Sequence, residues 1–430
     1  MIFAFFLGAG NMIFPPWAGQ QAGENLWQAL FGFLLTDVGL SLGAILVVLS
    51  VGSPDGLTRD LPPSVSRLFW IAIYLVIGPL FAVPRTAVVA WEVGSGPWLQ
   101  NSGSGWQAVH SGLFFVLVAL LCIVPGRLVT VIGKILTPLL VIILAALYVA
   151  MLLLPVTTLG PPMGAWQEHA LLEGAIQGYQ TMDALGALAF GLTITLSIRA
   201  YGIKEDRDVM KYGTRAALIA GACLCLVYVG LFYLGAISRE LLPTASHGGE
   251  ILIAMVNHLL GGPGLLLLSL AMVLACLTTA IGVTTSCAHY FQRCWPAISY
   301  RCWVALFSLT SMIVANVGLA DLLKVSVPVV ITLYPLAIVI VFLGATRTRI
   351  RLSKRWVHIA LLSTLMVSTL SGLSAAELLG PFTDIARHIP LFDRGLGWLL
   401  PAATTIIAGG CLDASSRRSL TRKTTEEEMS

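Results

Sequence analysis

The sequence predicts an all-α integral membrane protein of about twelve transmembrane helices. They form a five-plus-five inverted repeat with broken helices one and six, plus two peripheral helices. Three observations carry this reading. Of 430 residues, 57% are hydrophobic and only 11% charged, against about 25% charged in an ordinary soluble domain; mean hydropathy is +0.88. Apolar runs that reach or approach the ~20 residues needed to cross a bilayer recur along the whole chain. Two of them, the first and the sixth, are interrupted by glycine-dense, polar stretches.

The spans fall at about 1–20, 27–51, 68–92, 108–124, 128–154, 170–198, 213–237, 263–291, 302–317, 325–344, 356–373 and 395–412. Connectors rich in Pro, Gly and Ser, such as 52–63 and 94–105, separate them. The polar tail 413–430, with like-charge runs at Arg417-Arg418 and 426–428, is expected to be disordered. No stretch leaves room for a soluble domain of roughly 50 residues.

Basic residues support the count. With the N-terminus inside and alternating spans, the inner segments hold Arg59, Arg67, Arg127, Lys134, Arg199, Lys204, Arg207, Lys211, Arg215, Arg293 and Arg301. They also hold Arg347, Arg349, Arg351, Lys354, Arg355, Arg417, Arg418, Arg422 and Lys423. The outer segments hold only Arg239, Lys324, Arg387 and Arg394. A wrong count would mix the two sets. The net charge of +4 is therefore not a nucleic-acid signal. The eight cysteines lie in apolar runs or beside basic loops, so no disulfides are expected.

In the first span, Gly8-Ala9-Gly10-Asn11 places two glycines and an amide inside an apolar run that Pro15-Pro16 closes. Each glycine weakens a helix interior by roughly 1 kcal/mol relative to Ala. Bare backbone at membrane depth is tolerated only where protein or a cavity covers it. Seven residues precede Gly8 and none is basic, so the helix either begins upstream or is a shortened copy; a cleaved signal peptide fits poorly.

The sixth span carries Gly174, Gly178, Gly186 and Gly191 with Thr181 and Asp183. It lies five spans after the first. Because five is odd, the two breaks imply two five-helix units of opposite orientation, 1–154 and 155–344. Peripheral helices at 345–412 and a cytoplasmic tail at 413–430 follow. The simpler alternative is that the glycines only permit close helix packing.

In the eighth span, Thr278 and Thr279 are hard oxygen donors, and the Ala275 carbonyl lies one turn earlier. Hydroxyls and carbonyls suit a small hard cation, although threonines in membrane helices often bond back to their own backbone. Asp37, Arg85 and Asp183 lie within spans and Glu92 near an outer edge. Such groups cost at least ~2.5–3.5 kcal/mol unless paired or hydrated. Arg85 and Glu92 are seven residues apart, about 10 Å along a helix, so Asp37 or Asp183 is the better partner for Arg85, in a gate or a fixed ion pair. Asp183 could instead meet a substrate ammonium or carry a proton. His289 and the tryptophans at 17, 27, 91, 98 and 106 read as interfacial residues.

Four stretches now stand together: Gly8-Ala-Gly-Asn-Met-Ile-Phe-Pro-Pro16, Ile77-Gly-Pro-Leu-Phe-Ala-Val-Pro-Arg85-Thr86, Gly178-Tyr-Gln-Thr-Met-Asp183-Ala and Leu277-Thr-Thr-Ala-Ile-Gly-Val-Thr-Thr285. Over essentially its whole length the chain resembles the branched-chain amino acid:cation symporter family. That family is similar to the wider five-plus-five inverted-repeat group of amino acid transporters. The resemblance implies uptake of leucine, isoleucine and valine with sodium or a proton as coupling ion, in the cell inner (plasma) membrane, with both termini cytoplasmic. It implies that the amides of Ala9 and Gly10, after Gly8, meet the substrate carboxylate at the positive end of a half-helix. The carbonyls of Ala4 and Leu7 with Ala275, Thr278 and Thr279 would form the cation site. Asn11 and Thr181 match a second ion position, and 179–185, with Tyr179, Thr181 and Asp183, would flank the amino group and side chain. The family's longer basic start is missing here, which bears on the lower half of the first helix.

Other functions fit less well. Another small zwitterion is the nearest alternative substrate. A membrane-embedded enzyme would need a recognisable catalytic motif, and a sensor a larger cytoplasmic domain than 413–430. No phosphate-binding loop serves an ATP-driven pump. No cofactor, nucleic acid or obligatory protein partner is expected.

Overall fold

A computed structural model describes residues 1–52, 54–99, 105–123, 129–152, 158–347, 352–380 and 382–428. Connector residues 100–104, Arg127, Arg349, Arg351 and the span edges near 124, 128 and 154 lie outside the described residues. Every regular element among the described residues is helical. Among the described residues, six helices are long and apolar enough to cross a membrane: Ala9–Val51, Pro63–Leu99, Asp206–Glu240, Gly248–Cys294, Asp321–Thr346 and Lys354–Ala375. The first of these turns at Gly23, whose φ of 51° suits glycine, and so holds two spans. Shorter apolar helices at Trp106–Cys122, Lys134–Val149, Tyr300–Ala315 and Leu399–Ser415, and the sixth span, account for the rest.

The chain divides into two compact units. One comprises Met1–Gly52 with Ile71–Lys324, the other Ser53–Trp70 with Val325–Ser430. The first unit contains both breaks. The second holds its own ion pair, Arg347 to Asp60 at 2.6 Å.

Glycine against carbonyl is the recurrent contact of the first unit. A Cβ added at Gly32 would lie 1.9 Å from the Leu171 carbonyl oxygen, and one at Gly174 2.0 Å from that of Ala29. Gly178 packs as closely on Phe33 and Thr36. The second span thus lies backbone to backbone along Trp166–Gln180, and the Thr36 hydroxyl adds a bond of 2.7 Å to the Ala175 carbonyl. A second such pair joins the first span to the seventh, with Gly19 on the Phe232 carbonyl and Gly235 on that of Pro16.

Three readings change. The packing explanation holds for Gly174 and Gly178, while the sixth span breaks after them. Helix Trp166–Gln180 ends, Met182 adopts a left-handed φ of 69°, and helix Asp183–Ala200 begins. A non-glycine residue in that region is uncommon. The tail expected to be disordered instead continues the last helix, Leu399–Glu428; no Gly or Pro follows Cys411 to stop it. Finally, a helical segment starting at Gly248 precedes the eighth span and is kinked from it at Gly261, with φ 62° and ψ −153°.

Gly174→Ala should lower the thermal midpoint of the detergent-purified protein, because overpacking costs about 1–3 kcal/mol. Gly112→Ala, where an added Cβ meets nothing within 4 Å, should not. Equal midpoints for the two variants would contradict the close packing.

Candidate functional site

The first span stops at Phe6 and restarts at Ala9. Leu7 leaves the helix with ψ of 76° and Gly8 is extended, with φ −109° and ψ −164°. The short helix Ile2–Phe6 is held by one face of the eighth span. Ala275, Thr278, Thr279 and Gly282 recur at helical spacing and so share that face. Phe5 sits where a Cβ on Gly282 would be, 2.6 Å from the ring, and its ring centre lies 4.9 Å from that of Phe190 of the sixth span, tilted by 30°.

The same face meets the loose carbonyls of the break. The Thr278 hydroxyl lies 2.9 Å from the Ala4 carbonyl and 3.0 Å from that of Ala275. The Thr279 hydroxyl lies 3.0 Å from the Phe5 carbonyl and 3.3 Å from that of Ala4. Two hydroxyl and three carbonyl oxygens are thus linked in one run of contacts through the Ala4 carbonyl, an oxygen-only set of the kind that hard cations prefer. Ala4, Ala275, Thr278 and Thr279 were legible as its members. Phe5 was not, because a backbone carbonyl carries no side-chain signature. Leu7 is buried at the break.

Beyond the break, the first amides of helix Ala9–Ala22 have no partner within the helix and form its positive end. Gly8 fits against Thr279, with an added Cβ 2.8 Å from its Oγ1. Gly10 fits against Arg85, with an added Cβ 2.8 Å from Nη2 and 3.3 Å from the Thr181 Cα. The two breaks are therefore adjacent, and a side chain at Gly10 would part them.

Arg85 comes from the third span, which is itself disturbed. Gly78, with ψ −118°, and Pro79 interrupt the helix below it. The guanidinium is buried and donates to the carbonyls of Gln180 at 3.2 Å and Thr181 at 3.0 Å. It also lies 5.5 Å from the centre of the Phe14 ring. The hydrogen-bond partner of Arg85 is thus the carbonyl end of the first half of the sixth span, where a cation is favoured. It is not the carboxylate of Asp37 or Asp183 that the sequence suggested.

Asn11 stands apart from the threonine cluster. Its amide donates to Asp183 at 2.6 Å, to Asp37 at the long limit of 3.5 Å, and to the Tyr228 hydroxyl. Asp37 lies in a π-helical turn, Leu35–Gly39, a feature often found at functional sites. Asp183 is the first residue of the second half-helix. Thr181 bonds back to the Gly178 carbonyl at 2.7 Å, and Tyr179 is buried beside it in sequence. Tyr228 had no signal in the sequence beyond a hydroxyl in an apolar span.

Glu92 occupies another π-helical turn, Ala90–Ser95. Its Oε2 lies 3.6 Å from Nε2 of His247, which also lies 3.7 Å from Glu250. Burial lowers the pKa of the His247 imidazole below its ordinary value, and Glu250 partly opposes this. Glu92 is thus grouped with His247 and Glu250, not with Arg85.

Arg85→Lys keeps the charge but loses the fork that spans two carbonyls. Substrate uptake should fall by about tenfold or more, as expected when a charge-assisted bond of about 1.5–3 kcal/mol is lost, while the protein remains monodisperse. Unchanged uptake would remove Arg85 from the working parts of the site.

Comparisons with known proteins agree in direction. A family model described as "Branched-chain amino acid transport protein" matches residues 1–415. The branched-chain amino acid transport system 2 carrier protein of Pseudomonas aeruginosa is 44% identical, over 95% of this chain and 93% of that protein. The branched-chain amino acid permease BrnQ of Escherichia coli is 38% identical over 98% and 96%. BraB of Bacillus subtilis, a branched-chain amino acid permease, is 38% identical over 95% and 93%. These relatives are named as carriers and permeases, not enzymes. Among solved structures, MhsT in complex with L-phenylalanine superposes with a TM-score of 0.58 at 14% identity, over 95% of this chain and 96% of that one. Mhp1, a nucleobase-cation-symport-1 family transporter, gives 0.54 at 15% identity, over 95% and 91%. At that identity the likeness is one of fold.

Proposed function

We propose, because the chain belongs to the branched-chain amino acid transport protein family, that it imports leucine, isoleucine and valine as a secondary active symporter. The coupling ion is sodium or a proton, and the route is alternating access. The observation that carries the coupling is the oxygen cluster of Ala4, Phe5, Ala275, Thr278 and Thr279 at the first break. In this reading a small cation replaces the hydroxyl hydrogens as the partner of those carbonyls, and it thereby fixes the short helix Ile2–Phe6 to the eighth span. Leu7 and Gly8 supply the bend that frees the carbonyls.

The substrate carboxylate takes the amides of Ala9 and Gly10, where the half-helix is positive. The second break, with Tyr179, Thr181 and Asp183, receives the ammonium and the aliphatic side chain. Asn11 lies between the two breaks, and Asp37, Arg85 and Glu92 hold the surrounding spans. Residues 1–154 and 155–344 act as the two inverted repeats, 345–412 as peripheral helices and 413–430 as a cytoplasmic tail. The protein sits in the inner membrane with both termini inside, and works without a cofactor or an obligatory protein partner.

The test is radiolabelled leucine uptake into proteoliposomes under a sodium gradient or a pH gradient imposed separately, with Thr279→Ala alongside. The reading predicts uptake driven by one of the two gradients that falls roughly ten- to a hundredfold in the variant, the equivalent of about 1.5–3 kcal/mol at one polar ligand. Gradient-driven uptake of equal rate in both proteins would take the cation away from the threonine cluster.

A further inference from the structure

The second unit holds a cavity of about 300 Å³ that the transport reading does not use. Three segments line it: 57–61 after the second span, 340–347 at the end of the tenth, and 352–361 at the start of the eleventh. Ile340, Leu343 and Arg347 recur at helical spacing. Within two turns, about 10 Å, the wall therefore passes from a cation to aliphatic side chains, and Val357 and Leu361 continue it on the eleventh span. Arg347 directly follows the span Asp321–Thr346, and Lys354 opens the span Lys354–Ala375. The charged part of the cavity thus lies at the ends of two apolar helices, the depth at which lipid headgroups meet a membrane protein.

The segment that carries Arg59 and Asp60 is fixed from three sides. The buried Thr58 hydroxyl accepts from the Trp70 indole at 2.9 Å and shares a bond of 2.6 Å with the Ser66 hydroxyl. Arg347 donates to the Asp60 carboxylate at 2.6 Å and to the Gly56 carbonyl at 3.4 Å. His358 Nε2 lies 2.8 Å from the Asp60 carbonyl. Asp60 thus serves Arg347, and no carboxylate among the described residues pairs with Arg59, which is exposed. Burial lowers the Arg347 pKa from its ordinary value; Asp60 opposes this and Arg59 adds to it, so the two guanidinium groups repel one another. Elsewhere in 54–70 and 352–358, Arg67, Lys354 and Arg355 are basic and Asp55 alone is acidic. Asp413 of the last helix accepts from the Ser353 amide at 2.6 Å. The cavity therefore keeps an excess positive charge beside an aliphatic wall.

We propose that this cavity binds one anionic phospholipid, with its phosphate at Arg59 and Arg347 and an acyl chain along Leu343, Leu352 and Leu361. Both halves of the cavity select this occupant. A free anion leaves the aliphatic wall unfilled, and an uncharged apolar molecule leaves the Arg59 charge unanswered. A zwitterionic lipid brings its own cation to a site already in positive excess. An anionic phospholipid answers both halves, and guanidinium groups match phosphate oxygens in geometry as well as charge. Basic pockets between membrane helices hold such headgroups elsewhere. The site lies wholly within the second unit and uses none of the residues of the two breaks.

The test is equilibrium binding of radiolabelled phosphatidylglycerol to the purified full chain in an uncharged detergent, with unlabelled competitors. Phosphatidylglycerol should displace the label roughly fivefold more effectively than phosphatidylcholine, the fold-change of about 1 kcal/mol for one basic group in excess. That preference should vanish in Arg59→Gln, a change at an exposed side chain, and persist in Lys211→Gln, an exposed cation of the first unit. Leu352→Trp, which narrows the aliphatic wall and keeps both arginines, should weaken both lipids and leave their ratio unchanged. Inorganic phosphate and glycerol phosphate should not compete at concentrations where the lipid does. Equal displacement by the two lipids, or a preference that survives in Arg59→Gln, overturns the site. Displacement by inorganic phosphate as effective as by phosphatidylglycerol makes this an anion site without a lipid and overturns the assignment. Unchanged affinity in Leu352→Trp removes the acyl chain from the cavity and overturns it as well.

Discussion

An interrupted helix in a membrane leaves polar backbone with no water to satisfy it, and the rest of this architecture follows from that cost. Each unsatisfied group in hydrocarbon costs several kcal/mol. The first break exposes the carbonyls of Ala4 and Phe5, and Thr278 and Thr279 answer them. The second exposes the carbonyls of Gln180 and Thr181, and Arg85 answers those. Local bonds satisfy part of each break, as when the Gly8 amide donates to the Phe6 carbonyl at 2.7 Å and the Met182 amide to that of Tyr179 at 3.3 Å. Each break is also satisfied by a side chain from a span distant in sequence, so the third, sixth and eighth spans are tied to the two discontinuities.

Glycine makes this arrangement possible by letting backbones touch. The second span seats against Trp166–Gln180, and the first against the seventh, through glycines that face carbonyl oxygens. These contacts bring Asp37 and Tyr228 up to Asn11 and Asp183. The backbone departs from helical geometry at Leu7–Gly8, at Met182 and at the bend at Gly78.

Much of this was legible in the sequence for physical reasons. Gly8, Gly10 and Asn11 announce a break because they contradict the apolar run around them. Thr278, Thr279 and Ala275 share a helix face by spacing alone. The recurrence of apolar runs along the chain is what the long and short apolar helices reproduce. Other features had no such signal. Met182 looks like an ordinary apolar residue, yet it carries the left-handed backbone of the second break, while the nearby glycines that suggested the break are spent on packing. The Phe5 carbonyl has no side-chain code. The partner of Arg85 is a helix end, which depends on tertiary placement, and so an arginine and two aspartates in apolar spans suggested an ion pair that the hydrogen bonds do not make. The helical tail shows the converse error, in which polarity was read as disorder although no residue there stops a helix.

The central claim is that the broken first helix creates a cation site with Thr278 and Thr279. Equilibrium binding of radioactive sodium to the purified protein tests it without requiring transport. The account predicts saturable binding to the wild type that is lost in Thr278→Val/Thr279→Val, a pair of near-isosteric changes that remove only the hydroxyls. Binding of equal affinity in the double variant, or no saturable binding to a folded wild type, would contradict it.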